Sequence, residues 1–110
     1  MNDEIRQTYD WVGHGRQWLA TLVSEVQDLA TEQRLVFRSG TDDLGNFRYV
    51  VLTLPGKRSF LLLKYANPFQ RGTPVWVSDD EPDLAGAWRD LSMQLGLSPA
   101  DTLEVSPLAT

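Results

Sequence analysis

Cysteine is absent from the 110-residue chain, and histidine occurs only once, as His14. The lack of cysteine excludes disulfides and thiol catalysis, and a single histidine excludes a metal site built from several histidines. Asp10 stands four residues before His14 and would share a helical face with it, but no nucleophile is marked beside this pair. We therefore predict no catalytic centre, no metal and no cofactor, and we expect that the protein is not an enzyme.

Long apolar runs are also missing. The longest unbroken run has only a few residues, far below the ~20 that a membrane-spanning helix needs. The first ten residues, MNDEIRQTYD, contain no basic segment leading into an apolar one, so they do not have the pattern of a signal peptide. We expect no membrane contact and a cytoplasmic location.

Charge is distributed unevenly along a chain of ordinary globular composition, 42% hydrophobic and 23% charged. Residues 1–33 carry six acids and two bases, residues 34–78 carry two acids and seven bases, and residues 79–110 carry seven acids and one base. The net charges of the three parts are therefore −4, +5 and −6. We interpret the chain as a single domain, residues 1–110, whose basic middle part either balances its own acidic flanks or meets an acidic partner.

The most apolar stretch, residues 46–66, predicts a β-hairpin with its turn at Gly56–Lys57. This turn pairs Leu54 with Ser59 and Leu52 with Leu61. Side chains alternate along a strand, so the pairing predicts two faces. One face would carry Val50, Leu52, Leu54, Leu61 and Leu63, and the other Phe47, Tyr49, Val51, Thr53, Phe60, Leu62 and Lys64. Neither face is polar, so each must be shielded from water by helices, a second subunit or a ligand.

The remaining segments predict two helices and two further strands. Residues 2–31 have a helical apolar period, most regular over 16–31, and Leu84 to Leu95 have another, ended by Gly96. Strands are predicted at 34–39 and 75–77, and the weak pattern of residues 102–110 leaves them open to fraying. The predicted fold class is α+β, in the order α-β-β-β-β-α, with a four-stranded antiparallel meander and both helices packed on one face.

The face away from the helices is the candidate binding surface. Its predicted contact residues are aromatic or basic: Arg34, Arg38, Phe47, Tyr49, Phe60, Lys64 and Trp76. Phe69, in a proline-rich loop, is a further candidate. A monomer seldom leaves so many aromatic groups bare, and protein interfaces favour aromatic residues together with arginine.

The sequence therefore predicts a non-catalytic protein–protein interaction module of the adaptor, chaperone or inhibitor type, self-associating as a homodimer through this face. Cover by the chain's own N-terminal segment or tail is one alternative. Single-stranded nucleic acid is another, because residues 45–50, GNFRYV, place aromatics on alternate positions of a strand. The order of the predicted elements, which differs from that of RNA-binding sheets, and the acidic total charge argue against nucleic acid as a partner. A small enzyme or ligand-binding protein with an unidentified pocket is the last alternative.

Overall fold

The protein has a mixed α+β fold in the computed structural model, which describes residues 5–11, 15–56 and 58–110. Seven strands and two α-helices are formed by these described residues. In chain order they are β1 (Arg6–Thr8), β2 (Arg16–Leu22), α1 (Val26–Glu32), β3 (Arg38–Asp42), β4 (Gly45–Thr53), β5 (Ser59–Tyr65), β6 (Thr73–Ser78), α2 (Leu84–Leu95) and β7 (Thr102–Val105). Single 3₁₀ turns lie at Pro99–Asp101 and Pro107–Ala109.

All strand pairs are antiparallel, and the order across the sheet is β1-β4-β5-β6-β2-β7. The long strand β4 pairs with β1 through residues 51–53 and with β3 through residues 45–49, so β1 and β3 lie end to end along it. The α+β class with an antiparallel sheet is thus confirmed. The four-stranded meander is not, because residues 6–8, 16–22 and 102–105 add strands that the sequence analysis did not predict.

The predicted N-terminal helix is wrong over most of its described length, because residues 6–8 and 16–22 form strands, and Val26–Glu32 is the only helix among the described residues of this part of the chain. A β-bulge between Trp18 and Ala20 explains the misleading pattern. It allows the adjacent Leu19 and Ala20 both to be buried, which strict alternation forbids. Together with Leu22, Val26 and Leu29, they imitate a helical stripe. Residues 2–4 and the glycine-flanked His14 lie outside the described residues.

The strand predicted at 34–39 begins later, at Arg38, and continues beyond residue 39 to Asp42. Residues 34–37 are held by a side chain instead of a strand partner. Gln7 donates from Nε2 to the carbonyl of Arg34 at 3.1 Å and accepts the N–H of Val36 at 2.8 Å. Arg34 has a φ of +56°, which is outside the extended region and ends any ladder there.

The central hairpin of β4 and β5 exists, but its register differs by one residue from the prediction. The backbone N–H of Leu54 donates to the carbonyl of Arg58, so three residues connect the arms, and Thr53 pairs with Ser59. Leu52 therefore faces Phe60 and Val51 faces Leu61. A one-residue slip exchanges the two faces of a strand, so every side chain of β5 lies on the side opposite to the one predicted.

The helix α2 agrees with the sequence pattern. Asp83 caps α2 by accepting the N–H of Gly86 at 2.9 Å, and Gly96 ends it with a φ of +66°. Leu29 of α1 and Leu91 of α2 belong to one cluster of buried residues on the sheet, which includes Leu19, Val50, Leu52, Phe60, Leu62, Val75, Val77, Leu84, Ala87 and Leu95.

Residues 102–110 form the edge strand β7, which pairs with β2, and a final 3₁₀ turn that buries Ala109. The N–H of Ser106 donates to the carbonyl of Leu19, which ties this segment to the centre of the sheet. Within the described ranges, no helix is long and apolar enough to cross a membrane.

Candidate functional site

A second, smaller apolar cluster lies on the side of the sheet opposite the main core. Its buried floor is Val51, Leu61 and Leu63, and half-buried aromatic rings from several segments pack against it. We call this surface the aromatic face, formed by Trp11, Phe47, Tyr49, Val51, Leu61, Leu63, Tyr65 and Trp76. Neither of the described helices contributes a residue to it.

Four aromatic rings form a continuous row along this face. Tyr9 meets Tyr49 edge to face at 5.9 Å between ring centroids, Tyr49 lies 5.6 Å from Phe47, and Phe47 lies 5.5 Å from Tyr65. These separations are in the favourable range for aromatic pairs. Gly40 of β3 lies beneath the ring of Phe47, where an added Cβ would come within 2.5 Å of Cζ. The row is therefore packed and ordered by the chain itself.

Charged groups border the aromatic face. The guanidinium of Arg38 lies 3.8 Å above the ring of Tyr9, and that of Arg16 lies 4.9 Å from the ring of Trp76. Both are cation–π contacts that leave the arginines exposed to solvent. The face thus combines aromatic surface with arginine, as protein interfaces do.

Tyr65 and Asp42 form a hydrogen bond at the opposite end of β3 from Arg38. The hydroxyl of Tyr65 donates to Oδ2 of Asp42 at 2.6 Å. This bond lowers the pKa of Asp42 below its ordinary value, with a smaller contribution from the backbone N–H of Leu44. The same bond raises the pKa of Tyr65 above its ordinary value. Asp42 is therefore a fixed, ionised and exposed group on this face at neutral pH.

The N-terminal segment covers part of the aromatic face. Trp11 packs against the cluster, and its Nε1 donates to the carbonyl of Gly15 at 3.4 Å. Tyr9 is anchored through its hydroxyl, which donates to the carbonyl of Val36 at 2.6 Å. The chain's own N-terminal segment therefore covers this face in part. The aliphatic floor is buried, while the aromatic rings above it remain partly exposed.

Four of the seven predicted site residues lie together on or beside this face, namely Arg38, Phe47, Tyr49 and Trp76. The placement of Phe60 was wrong, because the register shift puts it in the main core with none of its surface exposed. The same shift puts Lys64 on the helix side of the sheet. Arg34 is exposed in the segment before β3 and makes none of the aromatic contacts.

Sequence reasoning missed Leu61, Leu63 and Tyr65 because the assumed register gave these positions to the other side. The correct pairing of Tyr65 with Phe47 would have found them. It also missed Arg16 and Trp11, because the segment that carries them was interpreted as a helix. Phe69, predicted as a further contact candidate, lies in the loop before β6 and not in the aromatic face, and 91% of its surface is exposed.

An open cleft lies beside the start of α1, on the helix side of the same strands, and reaches Phe47 and Tyr65 of the aromatic face, which also line it. We call it the loop cleft; its volume is about 1030 Å³. Its floor comes from β3, β4 and β5, and its walls are the start of α1 and the loop of residues 66–71 that leads into β6. Its charged and polar lining residues include Glu25, Ser39, Thr41, Asn46, Arg48, Lys64, Gln70 and Arg71.

Lys64 and Glu25 fix the wall of the loop cleft. The Nζ of Lys64 lies 3.0 Å from Oε1 of Glu25 and also donates to the carbonyls of Gln70 and Gly72. Oε2 of Glu25 accepts the N–H of Gly72 at 2.7 Å, and this bond lowers the pKa of Glu25, as does Lys64. Gly72 leaves no room for a side chain because its Cβ would collide with the carbonyl oxygen of Leu22.

Across the described part of the chain, no group of three or more histidine, cysteine, aspartate or glutamate side chains is placed to hold a metal ion. Comparison of the chain with protein families, with curated proteins and with solved structures gave no match.

Proposed function

We propose that this protein is a non-catalytic protein-binding module and that the aromatic face is its contact surface. One observation carries the proposal: a row of four half-exposed aromatic rings, bordered by Arg38 and Arg16, without a helix from the described residues to cover it. Aromatic residues and arginine are the types that supply most binding energy at protein interfaces. The row is rigid before binding, so little conformational entropy is lost on contact.

The occupant that the charges favour is a second copy of this chain. Arg38 and Asp42 are the first and last residues of β3. They lie four positions apart on one strand, so their side chains point to the same side of the sheet. If two copies meet face to face around a twofold axis that crosses β3 at right angles near Gly40, Arg38 of each lies opposite Asp42 of the other. A twofold interface is self-complementary in this way. Both side chains are exposed and so accessible for such pairing.

The proposal is tested by exchanging these charges. We expect Arg38→Asp alone and Asp42→Arg alone to weaken self-association at least tenfold, because each places like charges opposite each other in the dimer. The double variant, which restores opposite charges in the reversed sense, should regain most of the association. Arg89→Asp, on the exposed surface of α2, is the matched control.

Sedimentation velocity over a concentration series measures all four variants and the wild type. Single variants that associate as well as the wild type would refute the role of β3. A double variant that stays monomeric would show that the two residues are not partners. Retention of a single-stranded oligonucleotide at low salt, lost steeply as salt rises, would indicate the nucleic-acid alternative instead.

A further inference from the structure

We propose that the loop cleft is a second binding site, which takes an extended acidic segment of a partner protein. This inference goes beyond self-association, because the residues that carry it lie on the opposite side of β4 and β5 from the aromatic face. Arg48 pairs with Lys64 in the register of the two strands, whereas their neighbours Tyr49 and Leu63 point to the aromatic face.

Two arginines give the loop cleft its charge. Arg48 projects from the middle of the sheet and Arg71 from the loop that forms the wall, and both line the cleft. Both are exposed, and neither takes part in an ion pair within the described residues. Lys64 and Glu25, by contrast, neutralise each other. The charge available to a ligand is therefore positive.

The two arginines are held on rigid supports. β3 and β5 flank Arg48, and Arg48 pairs with Ser39 on one side and with Lys64 on the other. The residues on both sides of Arg71 are tied down, since Lys64 donates to the carbonyls of Gln70 and Gly72, and Glu25 accepts the N–H of Gly72. A guanidinium on a fixed support binds carboxylate at a lower entropic cost than a mobile one.

The rim of the loop cleft offers apolar contacts. Leu44, in the turn between β3 and β4, and Phe69, in the loop before β6, are 78% and 91% exposed. Together they border a smaller cavity of about 440 Å³. This cavity shares Asn46, Tyr65 and Gln70 with the loop cleft, so the two are continuous.

These features select the chemistry of the occupant. An open cleft with arginines on its floor and wall, continuous with a cavity that is bordered by apolar side chains, has room for an extended chain segment. The expected segment carries carboxylates for Arg48 and Arg71 and an apolar side chain that reaches Leu44 and Phe69. Backbone and hydroxyl groups of Ser39 and Thr41 in the lining can hydrogen-bond to it.

The experiment uses the full chain and a fluorescein-labelled peptide with four glutamates around a central leucine. Fluorescence anisotropy at low and at physiological salt measures its affinity, with a lysine–leucine peptide, free glutamate and inorganic phosphate as competitors. We expect the acidic peptide to bind, the lysine peptide not to compete, and the double variant R48E/R71E to lose at least tenfold in affinity. Phe69→Ser should lose severalfold, and the control Arg89→Glu should lose nothing.

Several results would overturn the inference. The first is that the acidic peptide does not bind, and the second is that it binds R48E/R71E as tightly as the wild type. The third is that Arg89→Glu lowers the affinity as much as R48E/R71E does, which would indicate general charge attraction without a defined site. Inorganic phosphate competing as well as the peptide would indicate a simple anion site instead. The mutated side chains are exposed, so folding should persist, and thermal unfolding checks this. Amide shifts in NMR spectra should be concentrated at Ser39, Thr41 and Gln70, which line the loop cleft.

The two proposals can fail separately. Arg38 does not line the loop cleft, so Arg38→Asp should abolish self-association and leave the binding of the acidic peptide unchanged. R48E/R71E should have the reverse effect.

Discussion

The Nζ of Lys64 lies 3.0 Å from Oε1 of Glu25, so that a charge on the central strand β5 is neutralised by the residue immediately before α1. The same two side chains bind both backbone neighbours of Arg71. The pair therefore connects β5, the residue before α1 and the loop before β6 at the wall of the loop cleft. It also explains why Lys64 lies on the helix side of the sheet and not on the predicted aromatic side.

Glu25→Gln should destabilise the fold, because it removes the charge that holds Lys64 and weakens the bond to Gly72. We expect the free energy of unfolding to fall by about 1–2 kcal/mol at neutral pH, as for charge-assisted hydrogen bonds that remain partly exposed. Chemical denaturation measures this. Glu104→Gln, on the exposed edge strand β7, is the matched control and should change little.

The effect of Glu25→Gln should also depend on pH. The Gly72 N–H and Lys64 lower the pKa of Glu25 in the folded protein below 4.5, although desolvation opposes them. Its contribution to stability is then complete above pH 4.5 and is lost as the pH falls through the folded value. The difference between wild type and variant should therefore shrink in acid. A difference that grows in acid would contradict this assignment.

The bond between Tyr65 and Asp42 predicts a shift in titration. Asp42→Asn removes the carboxylate that raises the pKa of Tyr65, so this phenol should ionise at a lower pH than in the wild type. Ultraviolet titration, or NMR of labelled tyrosine, detects the change. Asp43→Asn, one residue further along the turn, is the control and should leave the Tyr65 titration unchanged.

Gly40→Ala should disturb the aromatic row. The new methyl group would lie within 2.5 Å of the ring of Phe47, so this ring must move away from Tyr49 and Tyr65. We expect a loss of about 1–3 kcal/mol in the free energy of unfolding, as for other overpacked sites. Ser39→Ala, on the neighbouring exposed position, should cost far less. An unchanged near-ultraviolet circular dichroism spectrum in Gly40→Ala would argue against a packed row.

Phe60 and Phe69 form a matched pair for the distinction between core and surface. Phe60→Ala should cost about 3–5 kcal/mol, because the ring is completely buried in the main core. Phe69→Ala should stay within about 0.5 kcal/mol, because 91% of its surface is already exposed. Similar losses at both positions, measured by thermal or chemical unfolding, would show that the register of β5 is not as described.

The sequence pattern was sufficient for an element whose ends are marked by capping residues. Asp83 and Gly96 cap the two ends of α2. The alternation of side chains along β4 also assigned its residues to the correct faces of the sheet. The register of β5 could not be predicted in the same way. It depends on whether the turn between the two arms has two residues or three, and Pro55–Gly56 is compatible with both.

The secondary structure of the other segments depends on tertiary contacts, which the local sequence pattern does not contain. Leu19 and Ala20 are adjacent and both buried only because β2 has a bulge and lies between β6 and β7. Their spacing alone is also that of a helix. Residues 34–37 lack a strand partner because Gln7, nearly thirty positions away, binds their backbone. Of the candidate site, the aromatic residues of β4 were therefore predictable, but their neighbours on β5 were not.

Light scattering after size exclusion, applied to the wild type and to Arg38→Asp over a wide concentration range, tests self-association through the aromatic face. If the aromatic face binds a second copy, the wild type should approach twice the 12.4 kDa mass of the chain as its concentration rises, while Arg38→Asp stays near that mass. A wild type that keeps the mass of one chain at every concentration would contradict the account.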